Sequence, residues 1–173
     1  MTAEPGAAAL PAELRARIAA EFPKYPEKRA VLLTALHFVQ AERGWIPPEM
    51  IVPIAELLEI EPIEVQEVIS FYSMFHADPV GRWHVQVCTN LPCCLRGARQ
   101  LMRGLEQTLG IRAGEVTEDE MFSLAEVECL GSCGTAPVLQ VNTEPFVEGI
   151  APENASALVA ELRSRGGAAG RRS

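Results

Sequence analysis

Trp83-His84-Val85-Gln86-Val87-Cys88 is where the grammar of this chain changes. Trp83, Val85 and Val87 alternate with His84 and Gln86, the period-two pattern of a strand with one face turned to a core. The preceding Asp78-Pro79-Val80-Gly81 has turn composition, which predicts a domain boundary there. Downstream, apolar periodicity predicts a helix from about Cys94 to Leu109, a strand over Phe122 to Glu128, a strand over Val138 to Val141, a short strand over Phe146 to Glu148, and a last helix from about Pro152 to Arg163. That order is βαββα. Two strands joined through a helix are expected to lie parallel by the right-handed crossover rule, and the later pair antiparallel.

Upstream the pattern is helical. Leu14, Ile18 and Phe22 recur every fourth residue behind Pro11, a residue tolerated at a helix start, so a helix is expected from Pro11 to about Glu21. Pro26 opens a second helix, in which Val31, Leu32, Ala35, Leu36 and Val39 make one apolar face and Gly44 closes it. A shorter helical stretch reaches about Leu58, interrupted near its start by Pro53. Pro62 opens another, carrying Val65, Val68, Ile69, Tyr72 and Phe75. The expected class is α+β: a helical unit over residues 13–78 and a thioredoxin-like βαββα domain over 79–165. A flexible arm over 1–12 and a flexible tail over 166–173 are expected from their Ala, Gly, Pro and Arg content.

With 15 Lys and Arg against 23 Asp and Glu, the formal net charge is −8, and 48% of residues are hydrophobic. That balance predicts a folded acidic protein and argues against the basic stripe that nucleic acid or an anionic membrane surface requires. The longest apolar run, Val31 to Val39, contains Thr34 and His37 and falls far short of the roughly 18 to 20 residues needed to cross a bilayer, so no membrane insertion is expected. Met1 to Ala20 lacks the pattern of a secretory or organelle address. In a reducing compartment, five cysteines are expected to serve as metal ligands or redox groups before disulfides.

Four of the five form two pairs, Cys88-Thr-Asn-Leu-Pro-Cys93 and Cys129-Leu-Gly-Ser-Cys133. In the strand reading, Cys88 ends the first strand of the βαβ unit and Cys129 ends the second, so both pairs leave the same end of neighbouring parallel strands and four thiolates can converge. Spacing alone leaves zinc and a 2Fe-2S cluster equally open. The surroundings favour iron and sulfide, because a four-thiolate cluster is a net dianion and needs N–H donors. Gly97, Gly131 and Gly134 permit close backbone approach, and Cys93 is expected at a helix start with exposed N–H groups. Glu126 and Glu128 oppose addition of an electron, which predicts a low potential.

Val87-Cys88-Thr-Asn-Leu-Pro-Cys93, Cys129-Leu-Gly-Ser-Cys133-Gly-Thr-Ala-Pro, Phe71-Tyr-Ser-Met-Phe75 and Gly44-Trp-Ile-Pro47 together resemble the thioredoxin-like 2Fe-2S subunit of respiratory complex I, NADH:quinone oxidoreductase. That family belongs to the peripheral NADH dehydrogenase module of the complex, and the likeness spans roughly residues 12 to 164. It implies that Cys88, Cys93, Cys129 and Cys133 ligate one 2Fe-2S cluster. It also implies a partner flavoprotein subunit that binds FMN and NADH within a larger respiratory assembly, on the inner, cytoplasmic face of the cell membrane. This chain would be the electron-carrying part of that oxidoreductase and no catalyst alone. The absence of a Gly-x-Gly-x-x-Gly turn or a phosphate loop agrees, since such a chain binds no nucleotide itself.

Cys94 departs from the family pattern. It lies about 100° round a helix from Cys93, and the role of a small buried apolar side chain is the expected one. A Rieske arrangement is rejected, because His84 lies about 13 Å back along the strand from Cys88 and His37 and His76 fall in the helical unit. Phe71, Tyr72, Phe75, Trp45 and Trp83 are expected in cores, Arg96 and Arg99 facing solvent, and Glu115 to Glu120 in a solvated loop. The rivals are the equivalent diaphorase subunit of an NAD-linked hydrogenase or formate dehydrogenase, a zinc-stapled adaptor, and a dithiol enzyme built on Cys93 and Cys94.

Overall fold

The computed structural model describes residues 9–168, with side chains to 165. The chain divides into two compact units, Met1–Pro79 and Val80–Ser173. Residues 1–8 of the expected arm and 169–173 of the expected tail lie outside the described residues.

Among the described residues the first unit has four helices, α1 (Ala12–Ala19), α2 (Leu32–Arg43), α3 (Ile51–Leu58) and α4 (Pro62–Phe71), with 3-10 turns at Phe22–Lys24, Lys28–Val31 and Pro48–Met50 between them. Leu10 is already buried in this core with Leu14 and Ile18, so the ordered chain begins before residue 12. Prolines set the starts. Pro62 opens α4, and the Glu64 carboxylate reaches back to the Glu61 N–H at 2.9 Å. Pro53 stands in the first turn of α3, where its missing N–H has no helical acceptor to lose. Gly44 closes α2 at φ +85°, a conformation that suits glycine.

The aromatic expectation divides. Phe75 is buried, with its ring 5.0 Å from that of His37. Tyr72 and Trp45 are half-buried, while Phe71 is 80% exposed. The helical spacing predicted one common face, but α4 ends at Phe71 and Tyr72 takes an extended conformation, so the three side chains no longer share it.

In the second unit, β1 (Trp83–Cys88) is an inner strand of a four-stranded sheet. It pairs parallel with β2 (Phe122–Val127), in register from Trp83↔Phe122 to Cys88↔Val127, and antiparallel with β3 (Val138–Val141), which in turn pairs antiparallel with β4 (Val147–Glu148). The strand order is β2-β1-β3-β4, and both orientations match expectation.

The helix expected from Cys94 is two helices, α5 (Leu91–Leu95) and α6 (Ala98–Leu109). The five-residue α5 starts earlier than expected, with the Asn90 side chain accepting the Leu91 N–H at 2.9 Å, and it ends before Gly97. Gly97 has φ +101°, and a Cβ there would stand 2.9 Å from the Pro152 ring. Its role is therefore the junction of α5 and α6, rather than the approach to a cluster. The last helix, α7 (Ala155–Ala168), runs three residues into the stretch expected as tail. Val85, Val87, Phe122, Leu124 and Leu139 of the sheet are all but fully buried in one core with Leu101 and Leu105 of α6 and Val159 and Leu162 of α7.

The acidic run is also more ordered than a solvated loop. Gly114 N–H bonds to Leu124 O at 2.7 Å and Thr117 N–H to Phe122 O at 2.9 Å, so the segment folds back along β2. Thr117 and the Met121 N–H donate to Asp119, and Arg163 pairs with it at 3.1 Å. These contacts, Thr117 foremost, hold the Asp119 carboxyl below its ordinary range. A depressed folded pKa means stability that is present above the unfolded carboxylate value and lost as pH falls through the folded one. Because the carboxylate is largely exposed and solvent screens it, D119N is expected to lower stability by only about 0.5 kcal/mol at neutral pH. In urea titrations at a series of pH values, its difference from the native chain should shrink as the pH drops through that depressed range.

Candidate metal centre

Four cysteines converge at the C-terminal end of β1 and β2. Cys88 is the last residue of β1, Cys93 sits in α5, and Cys129 and Cys133 lie on the loop that follows β2. Cys88 and Cys93 are buried, whereas Cys129 and Cys133 are exposed, so one pair is rooted in the core and the other faces outward.

Burial acts to raise the Cys88 thiol's pKa, yet the net shift is downward. Its sulfur accepts from the N–H groups of Asn90 and Leu130 and from the thiols of Cys93 and Cys129, which together outweigh burial. Cys93 is pushed up, first by burial, then by its bond to Cys88 and the negative charge of Cys88 and Cys133, with the Val138 N–H opposing. The Gly131 N–H meets the Cys129 sulfur at 3.3 Å. Each of the four sulfurs thus interacts with another of the set. The links are pairwise: among the described residues no group of three or more His, Cys, Asp and Glu side chains is arranged to hold a single metal ion.

Thiolates linked pairwise in this way repel one another unless positive charge sits among them. The backbone N–H groups of Asn90, Leu130, Gly131 and Val138 supply part of that charge, and a sulfur-ligated iron group would supply the rest. The residues fit a 2Fe-2S cluster. Gly131, at φ +77°, contributes an N–H as the sequence suggested, while the donor to Cys93 comes from β3 rather than from a helix start.

Cys94 stands apart. It is half-buried, and its thiol donates to the Thr89 carbonyl at 3.0 Å. His84 is occupied by Ser123, with Nδ1 2.7 Å from Oγ, and burial lowers the His76 pKa within the helical unit. Arg96 and Arg99 are exposed, as are Glu126 and Glu128. Sequence reasoning missed the hydroxyls of Ser132 and Thr135 and the Glu148 carboxylate that accepts from both. Their only sequence signal is the position of Ser132 and Thr135 around Cys133.

Comparison with known proteins agrees with this geometry. The family described as "Thioredoxin-like [2Fe-2S] ferredoxin" matches residues 18–163. NADH-quinone oxidoreductase subunit 2 of Thermus thermophilus is 51% identical over 83% of this chain and 80% of its own length. An NADH-quinone oxidoreductase subunit of Rhizobium meliloti is 43% identical over 76% of this chain and 78% of its own. A crystal structure of NAD+-reducing [NiFe]-hydrogenase superposes with a TM-score of 0.67 at 21% identity, covering 78% of this chain but 23% of that one, and speaks for the fold alone.

Proposed function

The chain belongs to the thioredoxin-like [2Fe-2S] ferredoxin family, and from that premise we propose that it is the one-electron-carrying 2Fe-2S subunit of an NADH-quinone oxidoreductase, with Cys88, Cys93, Cys129 and Cys133 as ligands. The observation that carries this reading is the meeting of two cysteine pairs beyond adjacent parallel strands, among backbone N–H donors. When bound, the cluster accepts and releases single electrons. The protein's part is to hold the site and tune it. β1 and α5 fix the buried pair, the loop after β2 presents the outer pair, and the N–H groups of Asn90, Leu130, Gly131 and Val138 offset the negative charge on sulfur.

A centre of this kind needs a donor on another chain. We assign that role to a flavoprotein subunit holding FMN and NADH, where hydride leaves NADH before electrons reach this chain one at a time. Among the described residues no helix is long and apolar enough to cross a membrane, and we place the chain on the cytoplasmic face through its complex. The diaphorase alternative shares the fold. Identities of 51% and 43% to quinone-reductase subunits, over more than three-quarters of this chain, favour complex I.

The test is anaerobic purification, dithionite reduction and electron paramagnetic resonance. One half-integer-spin signal, with iron and sulfide in equal amounts, is the expected result. A silent, colourless sample containing zinc would overturn the reading.

A further inference from the structure

The loop bearing Cys129 and Cys133 is tied down by a residue outside it. Glu148, in β4, accepts hydrogen bonds from Ser132 Oγ and, at 2.8 Å, from Thr135 Oγ1. Those hydroxyls lie 2.8 Å from each other and bracket Cys133 in sequence. The backbone repeats the tie, with the Gly149 N–H donating to the Thr135 carbonyl at 2.7 Å and the Ile150 N–H to that of Pro137 at 3.3 Å. Each hydroxyl has a single proton to give. Glu148 accepts from both, the Ser132 carbonyl at 3.2 Å is a second acceptor for Thr135, and the carboxylate adds a fixed negative charge to the loop that carries Cys133.

We propose that Glu148 is a positioning residue for the outer cysteine pair: it clamps the loop through Ser132 and Thr135 and, by its charge, biases the centre toward its oxidised state. The inference rests on the reading under Proposed function. It makes two separable claims, one about charge and one about the clamp. Glutamine keeps an acceptor oxygen at the same place and loses the charge; alanine loses both.

The experiment compares the cluster-loaded native chain with E148Q and E148A. At a fixed ambient potential near the native midpoint, electron paramagnetic resonance should show the reduced-to-oxidised ratio about threefold higher in E148Q, as expected for removing one solvent-screened charge near the site. A tenfold change would correspond to about 59 mV for this one-electron couple. Under a fixed concentration of iron chelator, E148A should lose its visible absorbance severalfold faster than E148Q. A native ratio in E148Q, or a native rate of loss in E148A, overturns the proposal while a normal native signal leaves the electron-carrier reading standing. No signal in the native chain overturns both.

Discussion

Replacing Cys133 by alanine is expected to lower bound iron and sulfide per chain more than tenfold while leaving the fold intact, because the side chain is exposed and supports no core packing. Alanine is preferable to serine here, since a serine oxygen can still ligate. The matched control is Cys94→Ala. The Cys94 thiol is engaged with the Thr89 carbonyl, so this variant should retain native iron content and lose only the small contribution of that bond. Iron and sulfide analysis of both proteins, with circular dichroism to confirm folding, decides the ligand assignment. Loss of iron in Cys94→Ala with retention in Cys133→Ala would reverse it.

The second large effect lies ahead of β1. Gly81 is buried, its N–H donates to Ser123 Oγ at 3.0 Å, and a Cβ built on it would stand 2.3 Å from the Phe122 carbonyl carbon and 2.6 Å from the Ser123 nitrogen. Both contacts are to backbone in the neighbouring strand, so no side-chain rotation relieves them. Gly81→Ala is expected to cost about 3 kcal/mol, at the top of the usual range for overpacking and well above the few tenths gained from a stiffer unfolded chain. At a typical slope of about 2 kcal/mol/M, the urea midpoint should fall by about 1.5 M with the slope unchanged. Iron binding should weaken too, since the strand displaced at this end carries Cys88 at the other.

The alternation in Trp83 to Cys88 was enough to place the inner strand, and the helix between the first two strands was enough to orient them. Both signals are periodic and local. The break at Gly97 was harder to see, because helical propensity on either side runs through it and only the packing of Pro152 against the glycine explains why the chain turns there. Phe71 misled for a related reason: its spacing from Phe75 is helical only if the helix continues, and it stops.

The same division holds at the centre. Cysteine is scarce and its spacing specific, so the four candidate ligands could be read from the chain. Their N–H donors could not, apart from Gly131, because every residue but proline has one and only the fold selects Asn90, Leu130 and Val138. Glu148 was invisible because its partners lie 13 and 16 residues away, on a loop that meets it only after β3 and β4 have paired.

The two margins of the sheet bear on how this protein survives at high concentration. An open strand margin is a template on which another chain can add itself. At one margin β4 offers only Val147–Glu148, too little to recruit a stranger, and one of those two residues is charged. At the other, β2 is overlaid by the backbone of Gly114 to Thr117, in a segment bearing Glu115, Glu118, Asp119 and Glu120. The acidic run thus serves as a guard over the first half of β2: it occupies the outward hydrogen-bonding groups of Phe122 and Leu124 and sets like charges against a second copy, while the exposed Glu126 stands on the part of the strand that it leaves open.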